Sequence, residues 1–317
     1  MAKMTSAQLA TFTASYVDAQ KQGGAWNATT NNFVGMLDKV GKQVTLAGSY
    51  QDKLPELEGD ELPLGKTIEE YFIDLTLPEA FTGNNSTEGA KDIVPAIPSV
   101  EAVSYCYTLG RKKIKTTEPM GNVERACISS EVAGNVTGSI MERLANSMSL
   151  TRYACKKQLL GNAGDKAVAA GLVEQVAVPV SDVTGEAFIE QVKKDAEDAS
   201  FAHEGGLNGA LIGAAPSLTL FVKKGVMPVI QVQTLAGAFN RDELAIPAKI
   251  KVVDDFGTQT NSDVYAILVD DRAIKLHSGY RAVRTSENAD GDFMNIVEHF
   301  EDTGFISKYA YIKAYKA

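Results

Sequence analysis

Residues that could carry out catalysis are few in this sequence, and their spacing fits no reaction centre. The histidines His203, His277 and His299 are far apart and lack the HExxH spacing that places two imidazoles on one helical face. The chain contains no GxSxG elbow, no GxGxxG fingerprint and no GxxxxGK[ST] loop. Cys106 stands between two tyrosines, without the neighbouring cation or helix N-terminus that activates a thiolate. We therefore predict no catalytic residue, no cofactor-binding residue and no enzyme activity.

Two acidic pairs are the remaining candidates for metal ligands, because hard cations prefer carboxylate oxygens. The pairs are Asp254 with Asp255 and Asp270 with Asp271. Adjacent residues of a strand point to opposite faces, so neither pair chelates one ion unless the backbone turns there. We interpret both pairs as turn residues and predict no metal site, with metal binding as the alternative.

A cluster of basic side chains follows a strand-like segment and consists of Arg111, Lys112, Lys113 and Lys115. Contact with packaged DNA is one use, but no aromatic side chains are interleaved as in proteins that bind single strands by stacking. The formal net charge of the whole chain is -9, which does not suit a protein whose main task is to grip phosphate. We predict that the cluster forms ion pairs with an acidic neighbouring subunit.

The composition is that of a folded protein. The 317 residues are 44% hydrophobic and 22% charged. Neither a secretion signal nor a run of about 18 apolar residues is present, so we expect a protein that is not exported and does not span a membrane. Cys106, Cys127 and Cys155 have neither the spacing of a zinc site nor the density of a disulfide scaffold. We expect all three to be reduced and buried.

The beginning of the chain has the pattern of an arm that docks on another surface. Leu9, Phe12 and Tyr16 give one apolar face to a helix over residues 5–22, and a second short helix is expected around residues 33–40. Helices this short are marginal in water unless they have a surface to pack on.

An extended hairpin is predicted next. Residues 67–77 and 99–109 both have strand patterns, and the second places Tyr105 and Tyr107 on one face. The Gly, Asn and Pro content of residues 78–98 cannot continue either strand. Connections this long are usually functional or reach a partner. We predict an antiparallel strand pair whose connection reaches outward.

Helical segments follow the hairpin, a short one at residues 122–129 and a long one over residues 138–160. The apolar stripe of the long helix consists of Ile140, Leu144, Met148, Cys155 and Leu159. Poor helix formers at residues 133–138 predict a break or sharp bend before it, and Gly161 with Asn162 predict its end.

The remainder alternates helix and strand. A helix is expected over residues 186–203. Strands are expected at residues 218–222, 249–253, 264–269 and 273–277, followed by a β-rich tail.

This order of elements resembles that of tailed-phage major capsid proteins of the Hong Kong 97 type. Three stretches are similar to segments of short-tailed phage capsid proteins. They are YCYTLGRKKIKTTEP from Tyr105, QTLAGAFNRDELAIPAKIKVVDDFG from Gln233, and the stretch from Asp270 to the end. Within the second, Leu235 to Asn240 match a Leu-Ala-x-Ala-Phe-Asn motif that precedes an apolar strand and an Asp-x-Phe turn. The resemblance covers most of the chain after Leu62.

The resemblance implies an α+β fold with an N-terminal arm, an extended two-stranded loop, a spine helix, and peripheral and axial domains. The corresponding segments are the arm at 1–61, the extended loop at 62–118, the spine helix and peripheral domain at 119–183, the axial domain at 184–262, and return strands of both domains at 263–317.

The resemblance also implies a function. Pentamers and hexamers would assemble in the host bacterial cytoplasm into the icosahedral shell of a virion, with DNA enclosed but bound only non-specifically. Scaffolding, portal and decoration proteins are candidate partners.

The predicted interface residues between subunits are Leu9, Phe12, Tyr16, Tyr105, Tyr107, Arg111, Lys112, Lys113 and Lys115. Ordinary packing within one subunit is the alternative for the apolar ones. Two other functions stay open. One is an encapsulin-like nanocompartment shell, and the other is a cytosolic oligomeric enzyme with a site assembled from Asp254, Asp263 and Asp270.

Overall fold

The computed structural model describes two compact units. The described residues are 52–62, 67–73, 100–105, 108–121, 130–201, 203–204, 207, 211–212, 214–215, 217–226 and 248–317. Unit 1 takes its described residues from 1–65, 108–156 and 276–304, and unit 2 takes them from 66–107, 157–275 and 305–317. The helices predicted at 5–22, 33–40 and 122–129 lie outside the described residues. The five-segment division of the chain stays a prediction.

Most elements of the described residues are β-strands. In chain order, a short 3-10 turn at Pro55–Leu57 precedes β1 (Glu58–Glu61), β2 (Ile68–Ile73), β3 (Val100–Tyr105), β4 (Thr108–Pro119), α1 (Ser130–Ala169), β5 (Val173–Gln175), α2 (Asp182–Asp198), β6 (His203–Glu204), β7 (Leu211–Ile212), β8 (Leu218–Lys223), β9 (Lys249–Val253), β10 (Val264–Asp270), β11 (Ile274–Asn288), β12 (Phe293–Ile306) and β13 (Ile312–Lys316).

Unit 1 contains a four-stranded sheet in the order β1-β11-β12-β4. β1 runs parallel to β11, and β4 runs antiparallel to β12. Along β12, buried and half-buried residues alternate, as expected for a strand with one face against a core. Met294, Ile296 and Phe300 are on its buried face.

Unit 2 contains a five-stranded sheet in the order β5-β13-β10-β8-β9. All seven residues of the central strand β10 are buried. Phe188 and Val192 of α2 belong to the same apolar cluster as Leu220 and Tyr265 of the sheet and Tyr315 of β13. The predicted strands at 218–222, 249–253 and 264–269 are confirmed.

The predicted hairpin is confirmed between β2 and β3, which also belong to unit 2. The two strands are antiparallel, with Ile68 opposite Tyr105 and Ile73 opposite Val100. β4 continues the chain but pairs with β12 in the sheet of unit 1.

The predicted break at residues 133–138 and the predicted helix end at Gly161 were both wrong, and the sharp bend that was the alternative to the break stays a prediction. The helix is continuous from Ser130 to Ala169, a length of about 60 Å. Each glycine costs a helix only about 1 kcal/mol, and burial of the stripe that begins at Ile140 offsets that cost. Gly161 lies inside the helix because a side chain there would collide with the loop after β9: its Cβ would lie 2.1 Å from the carbonyl oxygen of Phe256.

No helix in the described part of the chain is both long and apolar enough to cross a membrane.

α2 begins four residues earlier and ends five residues earlier than predicted. Ser181 and Thr184 form a capping box at its start, which the apolar pattern alone did not indicate. At its end the Ser200 hydroxyl donates to the Glu197 carbonyl at 2.6 Å, which satisfies a terminal acceptor.

Candidate assembly surface and buried charge cluster

The predicted interface residues are only partly within the described residues. Tyr105 is the last residue of β3, and the four basic residues all lie on β4. Leu9, Phe12, Tyr16 and Tyr107 lie outside the described residues. The assignment of these residues to an interface stays a prediction.

Three of the four basic residues share one face of β4. This strand is at the edge of its sheet, and burial alternates along it. Arg111, Lys113 and Lys115 are exposed, whereas Lys112 is half-buried on the opposite face. We call Arg111, Lys113 and Lys115 the basic row.

The residues beside the basic row on β12 leave most of its charge uncompensated. Arg111 lies opposite Glu301, with Nε 3.5 Å from Oε2, and its guanidinium is 4.7 Å from the centre of the Tyr280 ring. Lys113 and Lys115 lie opposite His299 and Val297, neither of them an acid. The row is therefore a positive surface with a single acidic neighbour across the strand pair.

The inward face of β4 is tied to α1. Lys112 Nζ donates a hydrogen bond to Cys155 Sγ at 3.1 Å. Arg143 donates to the Glu118 carboxylate at 2.8 Å and to the Thr116 hydroxyl at 3.1 Å. Cys155 is free and buried, as predicted, while Cys106 and Cys127 lie outside the described residues. These contacts fix the strand, so the basic row has a defined orientation.

The hairpin of unit 2 has an anchored face and an exposed face. Phe72 stacks on Tyr309 with ring centroids 4.6 Å apart, and the Ser307 hydroxyl donates to the Glu70 carboxylate. Glu69 and Tyr71 are on the exposed face, where the Tyr71 hydroxyl donates to Glu69 Oε2 at 2.6 Å. That hydrogen bond raises the pKa of Tyr71.

A cluster of charged side chains lies between the sheet of unit 1 and α1, in which Arg152, Glu298 and Asp302 are buried and Glu58 and Arg281 are half-buried. We call Glu58, Arg152, Arg281, Glu298 and Asp302 the buried charge cluster. Arg152 Nη1 is 2.6 Å from Glu58 Oε1, and Arg152 Nε is 3.5 Å from Asp302 Oδ2. Glu298 and Asp302 are only 4% and 3% exposed. Such burial is costly for charges unless they are paired.

Lys156 extends this network to the segment before β1. Its side chain is fully buried, and Nζ contacts the Asp52 carboxylate, Glu58 Oε2 at 2.7 Å and the Leu54 carbonyl at 2.9 Å. The ammonium therefore has three acceptors, which satisfies all of its protons.

Burial and pairing move the carboxyl pKa values of the cluster in opposite directions. Burial raises the pKa of Glu298 to about 7, against the opposing charge of Arg281. Burial also raises the pKa of Asp302, although Arg152 and Arg281 act to lower it. For Glu58 burial acts to raise the pKa, but Arg152 and Lys156 together outweigh it, so the pKa is lowered.

This cluster was not predicted from the sequence, although β12 carries a signal for it. Glu298 and Asp302 occupy the same alternate positions as Met294, Ile296 and Phe300. Acidic residues at the alternate, core-facing positions of an apolar strand indicate that their charges are buried and paired with cations.

Three of the four acids follow the end of a strand, which agrees with the interpretation from the sequence, whereas Asp270 is the last residue of β10. Asp254 and Asp255 directly follow β9 and both contact Lys157 Nζ, at 2.9 Å and 2.8 Å. Asp270 ends β10, and Asp271 accepts hydrogen bonds from Ser217 and Lys249 at 2.7 Å and 2.8 Å. Their oxygens are engaged with cationic or hydroxyl side chains of the same unit.

Comparison with known proteins gives consistent results. A family model described as Phi29-like phage major capsid protein matches residues 6–312. The chain is 23% identical to the major capsid protein of Bacillus phage B103 over 303 residues, which is 90% of this chain and 63% of that protein. It is 23% identical to the major capsid protein of Bacillus phage PZA over 297 residues, which is 88% of this chain and 62% of that protein. The chain thus spans less than two thirds of the length of these relatives.

The fold also matches that of a solved phage capsid. A chain in the capsid structure of Staphylococcus phage Andhra superimposes with a TM-score of 0.60 at 13% identity, covering 86% of each chain. The predicted α+β fold of the Hong Kong 97 type is therefore confirmed.

Proposed function

Because the chain belongs to the family of Phi29-like phage major capsid proteins, we propose that many copies of it assemble into the icosahedral shell of a phage head. The observation that carries this proposal is the match of the family model over nearly the whole chain. The shared capsid fold supports it independently of sequence identity. The proposed role is structural, and no enzymatic step is assigned to the chain.

The charge distribution of the chain supports a specific contact between copies. The hairpin and its connection, residues 67–105, carry seven acidic side chains and one basic one. β4 carries four basic side chains and one acidic one. We propose that the acidic hairpin of one copy packs against the basic row of the next copy.

This contact suits assembly into rings. A contact between two different surfaces repeats from copy to copy, and it closes into a pentamer or hexamer if the rotation between copies is right. Long-range attraction between the two surfaces also orients the copies before they touch. Leu9, Phe12, Tyr16, Tyr105 and Tyr107 are proposed to add apolar contact area at such interfaces.

The remaining assignments follow from the shell. Assembly takes place in the cytoplasm of the host bacterium, and the finished shell is part of the virion. Scaffolding, portal and decoration proteins are proposed partners, and packaged DNA is enclosed without sequence-specific contacts. The net charge of -9 supports weak contact with DNA, because like charges repel.

Purification of the full chain tests the shell directly. Negative-stain microscopy and sedimentation velocity should give rings or closed particles. A small oligomer of fixed size that forms no particles at any concentration would contradict the proposal and favour the enzyme alternative. Particles from infected cells should enclose DNA, whereas particles filled with cargo protein would favour a nanocompartment.

Charge exchange tests the proposed contact. The double variant Lys113→Glu with Lys115→Glu should reduce particle yield at least tenfold, and the effect should weaken as salt is raised. Reversal of two exposed lysines of unit 2, Lys194→Glu with Lys224→Glu, is the matched control and should leave the yield unchanged.

A compensating variant separates a broken contact from a damaged fold. Glu69→Lys and Tyr71→Lys change two residues on the exposed face of the hairpin. Adding them to the double variant should restore part of the particle yield, because two lysines on the exposed face of β2 can then pair with the two glutamates introduced on β4, although the whole hairpin segment stays net acidic. Normal yield from the double variant, or no recovery in the four-residue variant when its circular dichroism is native, would refute the contact.

A further inference from the structure

The buried charge cluster has a feature that shell assembly does not require. It joins four elements of unit 1, because Glu58 is on β1, Arg152 on α1, Arg281 on β11, and Glu298 with Asp302 on β12. A salt bridge needs only two partners. In this cluster several acids interact with the same two arginines, and these interactions connect the sheet to the helix.

Among the acids of β12, Glu298 has one cation acting on it, whereas both carboxylate oxygens of Asp302 are buried without a hydrogen-bond partner. Arg281 is the cation whose charge acts on it. Arg152 is engaged with Glu58 and lies 3.5 Å from Asp302, and Lys156 is engaged with Asp52 and Glu58. From β4, Lys112 acts on Asp302 and donates its hydrogen bond to Cys155.

Arg281 is itself divided among several acids. Burial and the charge of Arg152 lower its pKa, while Asp302, Glu298 and Glu58 act to raise it. A second negative charge on β12 therefore competes with Asp302 for the same guanidinium. The cluster has fewer conflicting charges when one of the two carboxyls of β12 holds a proton.

We propose that the buried charge cluster is a proton-linked switch, in which Glu298 gains or loses a proton inside the folded unit and thereby changes how firmly β11 and β12 are held against α1. When Glu298 is neutral, Asp302 is the one charged carboxyl of β12 that interacts with the guanidinium of Arg281. When Glu298 ionises, its buried charge is poorly compensated and the attachment of the sheet weakens.

The direction of the pH dependence follows from the pKa of Glu298 in the folded unit. A pKa of about 7 in the folded unit lies above the ordinary value of 4.5, so the folded unit holds the proton more tightly than the opened one. The attachment is therefore firmest below pH 4.5 as far as Glu298 is concerned, weakens as pH rises toward 7, and changes little above that. Glu58 has the opposite sign, because its lowered pKa makes its contribution disappear in acid.

Hydrogen exchange of the full chain tests the switch. After correction for the intrinsic rate, protection of peptides from residues 276–304 should fall about tenfold or more between pH 5 and pH 8. For one carboxyl with a pKa of about 7 in the folded unit and 4.5 in the opened one, full linkage limits the change over this pH range to about 70-fold. Glu298→Gln should remove this change, because glutamine has no proton to lose. Glu301→Gln, on the outward face of the same strand, should keep it.

A second readout applies even if Glu298→Gln does not fold. Infrared difference spectra of the natural chain between pH 5 and pH 8 should contain the carbonyl band of a buried protonated carboxyl that disappears with a midpoint near neutral pH. If no such band titrates, or if protection of residues 276–304 is the same at both pH values, the switch does not exist. Neither outcome depends on whether particles form.

Discussion

The two units of this protein bury different chemistry beneath their sheets. In unit 2 the space between α2 and the sheet is filled by apolar side chains such as Phe188, Leu220 and Tyr315, and Asp195 is a carboxyl that reaches into it. In unit 1 the corresponding space contains Arg152, Lys156, Glu298 and Asp302 beside apolar residues. Apolar burial is insensitive to pH, whereas buried charge pairs depend on protonation. Because unit 2 has fewer charged groups in this space, we expect its stability to depend less on pH than that of unit 1.

The largest effect is expected from a cavity in unit 2. Phe188→Ala removes a fully buried ring that lies 5.3 Å from the Tyr315 ring and 5.4 Å from the Tyr265 ring. The free energy of opening unit 2, measured by hydrogen exchange, should fall by about 3–5 kcal/mol, equally at pH 5 and pH 8. Glu186→Ala, at an exposed position of the same helix, is the control. A strong pH dependence in Phe188→Ala would remove the contrast between the units.

A somewhat smaller loss is expected in unit 1 from removal of a buried charge. Lys156→Met keeps most of the side-chain volume but leaves Asp52 and Glu58 without their shared ammonium. Peptides of unit 1 should lose about 3 kcal/mol of protection at pH 7. The loss should be smaller in acid, where Glu58, whose pKa is lowered by Arg152 and Lys156, takes up a proton.

Lys157→Met is the neighbouring control for this loss. Lys157 binds Asp254 and Asp255, which are about half exposed and remain hydrated after the change. It should have less than a third of the effect, and only on unit 2. Equal losses in the two variants would mean that burial of charge does not distinguish the units.

The smallest effects are expected at two glycines of α1. Gly161→Ala would place a methyl group 2.1 Å from the Phe256 carbonyl oxygen and should lower stability by about 1–3 kcal/mol by displacing the loop. Gly138→Ala meets nothing within 4 Å and should raise stability by about 1 kcal/mol through helix propensity. Thermal unfolding of both variants checks the pair. Stabilisation by both would show that the loop is not held against the helix at Gly161.

Local patterns in the sequence predicted the helices and strands whose own residues have an apolar stripe or an apolar alternation. The alternation around Tyr105 predicted β3, and the stripe from Ile140 to Leu159 predicted the middle of α1. The apolar run from Val264 predicted the central strand of unit 2. Each signal depends on the burial of one face and needs no knowledge of the partner.

Features that depend on distant residues were not predictable in this way. The sequence predicts a helix end at Gly161. The reason for a glycine inside the helix is the nearby carbonyl oxygen of Phe256, which leaves no room for a side chain. The two acids of β12 are compensated by Arg152 and Arg281, which belong to different elements. Among the four basic residues, the inward direction of Lys112 follows from the pairing of β4 with β12.

A map of assembled particles at side-chain resolution tests most directly whether the acidic hairpin of one copy is covered by another copy. We expect residues 67–105 of each subunit to lie along β4 of a neighbour, with carboxylates within ion-pair distance of Arg111, Lys113 or Lys115. The proposed contact is contradicted if the hairpin folds back onto its own subunit in every position of the shell, or if the basic row faces only solvent or DNA.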